Sequence, residues 1–277
     1  MMDRFADLHI HTFFSDSTAS PAEVVGEAVR AGLACIAIAD HDTVDGLADT
    51  LAEALPQGLE VITAVELSSE FKGKDIHILG YCFDIHAGPL VLRLTEMQAA
   101  RVARMQKMIA RLNELGMLDI CLKDVAGMTH SDSVGRLHLA KLMLERGYVR
   151  SLDHAFRQYL SEGACAYFPK FKQTPFEAIK LIRDSGGVAV MAHPVLTQRD
   201  ELIPAMVEAG LGGLEAYYPN CFMDTVNRYL DIAAKHDLVV TGGSDAHGAS
   251  KTSTYIGKSR VPYHWVEKLK KRAGRQA

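Results

Sequence analysis

The chain alternates short, uninterrupted apolar runs with longer segments of helical periodicity. Phe5-Ala6-Asp7-Leu8-His9-Ile10-His11 reads as a strand bounded by a polar turn segment, Phe14-Ser15-Asp16-Ser17. Cys35-Ile36-Ala37-Ile38-Ala39 is continuously apolar, the pattern of a strand buried on both faces. Residues 61–65, 188–192 and 238–243 read the same way, and a shorter run around His77 follows a turn at Lys72-Gly73-Lys74. Ser20-Pro21-Ala22-Glu23 combines an N-cap serine, a proline at the first helical position and a capping-box glutamate. The helix it opens carries Val24, Val25, Ala28 and Val29 and ends near Gly32. Thr174-Pro175-Phe176-Glu177 repeats that signal before Ile179, Leu181 and Ile182. Further helices are predicted over 204–209, 223–236 and 263–272. Such βα alternation predicts parallel strands with helices outside.

Between residues 88 and 174 the pattern changes. A long charged helical stretch over 90–115 carries Leu92, Leu94, Met97, Val102, Met105, Ile109 and Leu112. Shorter helical segments follow at 137–146 and 152–160, with no strong strand-like run. The expected organisation is a barrel built from residues 1–87 and 175–277, with an all-helical insertion, 88–174, contributing to the substrate site.

Chemistry enters at the ends of the apolar runs. Side chains two apart on a strand share a face, so His9 and His11 can aim at one point while Leu8 and Ile10 face the opposite layer. Asp40-His41-Asp42 follows the second run, and Glu66 ends the third. His193 closes the run over 188–192, and the Pro194 after it is expected to stop regular structure. Ser244-Asp245-Ala246-His247 follows the last run. Many strands ending in His, Asp or Glu imply one site at their carboxyl ends, the face where barrel enzymes hold their active sites.

Composition narrows the partners. A net charge of −4 over 277 residues argues against a broad basic face for DNA or other long nucleic acids. It leaves room for a small anionic substrate, because bound divalent cations would dominate the local field. Cys35, Cys82, Cys121, Cys165 and Cys221 form no C-x-x-C pair, which fits reduced thiols rather than a disulfide framework. The N-terminus has no signal-peptide pattern and no window approaches the length of a membrane span, so a cytoplasmic protein with no membrane partner is expected.

In order along the chain, Asp7-Leu8-His9-Ile10-His11-Thr12, Asp40-His41-Asp42-Thr43, Val65-Glu66-Leu67-Ser68, Ile76-His77-Ile78-Leu79-Gly80-Tyr81, Ala192-His193-Pro194 and Ser244-Asp245-Ala246-His247 resemble the segments of the PHP family. That family is named for the polymerase and histidinol phosphatase proteins that share the domain. The resemblance implies an α/β fold, a distorted seven-stranded (β/α) TIM-like barrel with up to three divalent metals at its C-terminal face. It implies His9, His11, Glu66 and Asp245 on one ion, with Glu66 bridging to a second held by His77 and His193. Asp16, His41 and His247 would hold a third. Glu66, Asp245, His193 and His247 are the implied catalytic set. Mixed imidazole and carboxylate donors suit Mn²⁺, Fe²⁺ or Zn²⁺ without choosing among them. Asp16 is the irregular match, because Ser17 stands where the family has glycine. Asp40 and Asp42 are open between orienting a histidine and contacting substrate, and Asp42 serves equally well as a helix N-cap.

Within the family, the insertion resembles that of nucleotide phosphatases and RNA-trimming exonucleases. Gly135-Arg136-Leu137-His138-Leu139-Ala140 and Ala166-Tyr167-Phe168-Pro169-Lys170 carry this likeness. They imply Arg136, His138, Tyr167 and Lys170 as substrate contacts. Arg136 offers a planar fork for phosphate or a surface pair, and His138 a phosphate contact or a core histidine. Tyr218 stands where relatives often have histidine, and its role is open. Divalent ions lower the pKa of a bound water from about 15.7 to about 7, so no Ser or Cys nucleophile is needed. The expected activity is metal-dependent hydrolysis of the 3′-phosphate of nucleoside 3′,5′-bisphosphates, extending to the trimming of short 5′-phosphorylated RNA. A histidinol phosphatase or other small phosphomonoesterase is the rival within the class. A non-catalytic PHP interaction module is the rival outside it, disfavoured because all nine ligand positions hold ligand-type residues.

Overall fold

Each long apolar run forms a strand of one mixed sheet. The computed structural model describes residues 4–128, 133–169, 171, 173–251 and 253–274. The strands are β1 (Phe5–Ile10), β2 (Cys35–Ile38), β3 (Glu60–Leu67), a small hairpin of β4 (Glu70–Phe71) and β5 (Lys74–Asp75), and β6 (Ile78–Tyr81). After a helical interval come β7 (Val188–Met191), β8 (Gly213–Tyr217), β9 (Val239–Gly242) and β10 (Val261–Pro262). The main sheet has 8 strands in the order β10-β1-β2-β3-β6-β7-β8-β9. Seven of them form the expected barrel, and β10 adds a two-residue antiparallel flap on β1. Closure is made just past β9. Asp245 N donates to His9 O at 2.8 Å and His11 N to Ala246 O at 3.1 Å. That approach requires glycine at position 243, where a Cβ would lie 2.4 Å from His9 N.

The expectation of uniformly parallel strands is corrected at β6, which runs antiparallel to both β3 and β7. The link from Leu67 to Ile78 holds only the β4–β5 hairpin and is too short for a parallel crossover, which needs a dozen or more residues. The reversal has a functional consequence. His77 precedes β6 instead of ending it, and so reaches the same rim as Glu66 near the end of β3.

Helices cover the outside. Both predicted capping boxes are present, Ser20 with Glu23 on α1 (Pro21–Arg30) and Thr174 with Glu177 further along. A helix the pattern did not announce, α2 (Gly46–Ala54), starts at a glycine without a side-chain cap bond. Its N-cap position is Asp45, so the capping role considered for Asp42 does not hold. The long helix is α3 (Gly88–Glu114), followed by α4 (Leu122–Ala126), α5 (Arg136–Glu145), α6 (Leu152–Ala155) with a π-helical turn over Phe156–Leu160, and α7 (Pro175–Asp184). Pro194 begins a short helix, α8 (Pro194–Thr197), instead of ending regular structure, as proline may at a first helical position. The remaining helices are α9 (Ile203–Glu208), α10 (Met223–Lys235) and α11 (His264–Arg272).

The helix α3 is shared between two apolar clusters. Its first half packs Leu90 and Leu94 with Ile179, Ile182 and Met191 of the barrel. Its second half packs Met105, Met108, Ile109 and Leu112 with Leu139, Met143 and Leu160. The second cluster lies wholly within residues 102–168, so these helices bury a core of their own over the barrel rim. Among the described residues, no helix is long and apolar enough to cross a membrane.

Candidate metal centre

Alternation along β1 sends His9 and His11 to the same side, and both are fully enclosed. The structure gathers them with Asp16, His41, Glu66, His77, His193, Asp245 and His247 at one rim of the barrel. Glu66 is at the middle, and its two oxygens face different partners. Oε2 lies 3.3 Å from His9 Nε2, 3.3 Å from His11 Nε2 and 3.2 Å from His41 Nδ1. Oε1 lies 2.8 Å from His77 Nδ1 and 2.9 Å from His193 Nε2. Asp245 Oδ1 faces His11 Nε2 at 3.3 Å and His9 Nε2 at 3.7 Å. Asp16 lies against His247 Nε2 at 3.2 Å, with His11 Nδ1 and His41 Nε2 each at 3.7 Å. Three groupings have donor atoms within 4.8 Å of one another: His11, Asp16, His41 and His247; His9, His11 and Glu66; and His41, Glu66 and His77.

These residues fit bound cations. His11 Nε2 and His41 Nδ1 are buried, close to carboxylate oxygens, and make no aligned hydrogen bond. Ring nitrogens and carboxylates that converge on a shared point without bonding head-on are arranged around a positive centre between them. Two of the residues, His193 at φ 26° and Asp245 at φ 48°, hold backbone conformations that side-chain-bearing residues rarely adopt.

The electrostatics agree. Burial raises Glu66, but His41, His77 and His9 together hold its carboxyl well below the usual range. Asp16 is likewise low despite burial, through His247 and His41, and so is Asp245, through His11 and His9. Burial opposes charge on His11, yet Asp245 and Glu66 push it up to about 10. His41 goes the other way, to about 3, because burial outweighs Glu66 and Asp16. Without a cation, protons on some imidazoles compensate the carboxylates; divalent ions would replace them.

Surrounding polar residues brace the rim. Asp40 accepts from Thr12 N at 2.7 Å, Thr12 Oγ1 at 2.5 Å and Ser15 Oγ at 2.5 Å, fixing the loop that carries Asp16. Asp42 accepts from Ser68 N at 2.7 Å and Arg101 Nε at 2.8 Å, tying α3 to the barrel. Tyr218 donates to Asp245 Oδ2 at 2.7 Å, and Lys251 Nζ reaches the same oxygen at 2.5 Å. Glu215 on β8 lies in a strand the sequence pattern carries, but no role for it follows from the sequence. It is buried and bonds His9 Nδ1 at 2.9 Å and His193 N at 2.6 Å. An acidic residue inside an otherwise apolar strand was the available signal.

The insertion supplies the opposite wall. One cleft is lined by Asp16, His41 and His77 on the barrel side and by Arg101, Arg104 and Arg136 on the helical side. Arg136 Nη1 donates to Leu160 O at 3.1 Å, and Arg104 Nε to Phe168 O at 2.6 Å. Both guanidiniums lie over the Tyr167 ring, at 5.9 and 5.5 Å from its centre. Burial and then the like charge of Arg136 lower Arg104 to about 10. Its Nη2 is buried with no hydrogen-bond partner among the described residues. His138 is buried, with Nδ1 accepting from Gly135 N at 3.1 Å. Lys170 lies outside the described residues.

A family model for the PHP domain matches residues 7–101. The chain is 32% identical over 194 residues to a 5′-3′ exoribonuclease of Haemophilus influenzae, covering 70% of each protein. The chain belongs to the PHP family. It is 28% identical to a 3′,5′-nucleoside bisphosphate phosphatase of Chromobacterium violaceum, over 91% of this chain and 90% of that one. It is 30% identical to a phosphoribosyl 1,2-cyclic phosphate 1,2-diphosphodiesterase of Eggerthella lenta, over 92% and 98%. A solved structure from Bifidobacterium adolescentis, described as that of a metal-dependent phosphoesterase, superposes with a TM-score of 0.87 at 31% identity, covering 96% of both chains. This PHP protein is a metal-dependent hydrolase of phosphate esters with the family's α/β barrel, and divalent metal is its cofactor.

Proposed function

We propose that this enzyme removes the 3′-phosphate of nucleoside 3′,5′-bisphosphates and trims short 5′-phosphorylated RNA from its 5′ end. The carrying observation is the cleft itself. A wall of imidazoles and carboxylates faces a wall of guanidiniums held in place by main-chain carbonyls. A substrate with two separated phosphates suits both walls at once, one phosphate at the histidines and the other against Arg104 and Arg136. The phosphatase and exoribonuclease named among the relatives favour the same substrate class.

In this reading His9, His11, Asp16, His41, Glu66, His77, His193, Asp245 and His247 hold two or three divalent ions. Mn²⁺, Fe²⁺ and Zn²⁺ all suit the donor set. Such ions supply hydroxide at neutral pH and neutralise charge on the phosphate under attack. Glu66 would hold the ions together, because Oε2 faces His9, His11 and His41 while Oε1 faces His77 and His193. Asp245 would present Oδ1 to the ions while Tyr218 and Lys251 hold Oδ2, which places it to orient the attacking water by accepting its hydrogen bond. His193 and His247 complete the rim on either side. Arg136 and Arg104 orient the second phosphate, with Tyr167 beneath them and Lys170 as a further cation. His138 acts by capping the start of α5. The helical segment 88–174 thereby forms half of the substrate site, anchored through Arg101 and Asp42.

The test is a comparison of kcat/KM for a 3′,5′-bisphosphate, the matching 5′-monophosphate, histidinol phosphate and a 1,2-cyclic phosphoribosyl ester. The bisphosphate should be turned over most efficiently. Faster histidinol phosphate turnover would overturn the nucleotide reading and favour a small phosphomonoesterase. Faster cyclic-ester turnover would favour a diesterase of sugar phosphates.

A further inference from the structure

We propose that Glu215 is a positioning residue of the metal centre, whose single carboxylate fixes the tautomer of His9 and the unusual backbone of His193 together. This rests on the reading of His9 and His193 as metal ligands. The strand β8 contributes no candidate ligand, yet Glu215 points from it into the middle of the ligand set and is 1% exposed. Its neighbour Leu214 pairs with Met191, which brings Glu215 beside the segment leaving β7. The ladder between β8 and β9 is irregular between Glu215 and Tyr217, a local break of the kind that re-aims a side chain.

The two bonds do different work. Glu215 Oε1 lies 2.9 Å from His9 Nδ1, and an ionised carboxylate only accepts hydrogen bonds. With a cation in the site, the one remaining imidazole proton of His9 would sit on Nδ1, and Nε2, 3.3 Å from Glu66 Oε2 and 3.7 Å from Asp245 Oδ1, would be free to bind it. Glu215 Oε2 accepts from His193 N at 2.6 Å. His193 has φ 26° and ψ 60°, a conformation that persists only where its surroundings hold it. With that N–H pinned, His193 Nε2 reaches Glu66 Oε1 at 2.9 Å. Both partners of Glu215 are donors. Glutamine, nearly identical in shape, would present an amide donor to one of them and lose that bond.

The experiment uses the full chain loaded with Zn²⁺. Long-range ¹H–¹⁵N spectra should find the His9 proton on Nδ1 in the parent protein. In E215Q one of the two bonds is lost, and Zn²⁺ affinity, read by competition with a chelator, should fall about 10–100-fold with an unchanged far-ultraviolet circular dichroism spectrum. A His9 proton on Nε2 in the parent, or parental Zn²⁺ affinity in E215Q, would overturn the proposal. A downfield shift of the His9 Nδ1 proton, the mark of its hydrogen bond to Glu215, needs no variant, so its absence would overturn the proposal even if E215Q fails to fold. A parent protein that binds no Zn²⁺, Mn²⁺ or Fe²⁺ would instead overturn the ligand reading underneath.

Discussion

Tyr218 donates its hydroxyl hydrogen bond to Asp245 Oδ2 at 2.7 Å, while Oδ1 of the same carboxylate faces His11 and His9. The two oxygens are thus assigned separate tasks. Tyr218→Phe leaves Lys251 on Oδ2 and removes one hydrogen bond to a charged group, worth about 1.5–3 kcal/mol. The expected result is a fall in kcat of about 10–150-fold with metal content unchanged by elemental analysis. Parental kcat would separate Tyr218 from the function of Asp245.

Glu66 contacts histidines through both oxygens, so its loss should damage more than one metal position. Purified parent protein should carry at least two divalent ions per chain, and a chelator should abolish turnover. Glu66→Gln should carry fewer ions and lose several orders of magnitude in hydrolysis while its circular dichroism spectrum is retained. Activity within about tenfold of the parent would remove Glu66 from the centre of the mechanism.

Arg104 and Arg136 are each held by a carbonyl and share the Tyr167 ring, which fixes both forks before any ligand arrives. Arg136→Ala and Arg104→Ala should each lower kcat/KM for the bisphosphate by about 1.5–3 kcal/mol. The penalty should be much smaller for a substrate with one phosphate. Equal losses for both substrates would mean that the arginines shape the cleft without binding the second phosphate.

His138 predicts a pH dependence of stability. Burial, reinforced by Lys141 and Arg101 and opposed by Asp16, lowers it from 6.5 to about 4. Between those values the unfolded chain takes up a proton that the folded chain refuses, so stability is complete above about pH 6.5 and declines as pH falls toward 4. The full effect is about 3 kcal/mol, from a shift of between two and three pH units. Denaturant unfolding of metal-free parent and His138→Gln between pH 4 and 7 should show a shallower slope in the variant. Identical slopes would mean that His138 is protonated in the folded protein.

The gathering of the histidines and carboxylates at one rim was legible in the sequence because strand alternation and the apolar runs are local. His9 and His11 lie two apart on β1, and Glu66 and Asp245 lie at or just beyond the ends of runs that any pattern reading finds. The capping boxes at Ser20 and Thr174 were equally plain, being contained within four residues each. By contrast, α2 has weak patterning and no side-chain cap, and was found only in three dimensions.

Direction and partnership were decided by the tertiary structure. The run containing His77 looks the same whether its strand is parallel or antiparallel. Only the short hairpin link forces the reversal that brings His77 to Glu66. Asp42 looks like a cap until Arg101, 59 positions away, is seen to bind it. Glu215 meets His9 across 206 positions, and no periodicity encodes a contact at that separation. A sequence states which side chains share a face; which buried charge meets which partner is fixed by closure of the barrel, because a carboxylate taken out of water must find its donors wherever the fold delivers them.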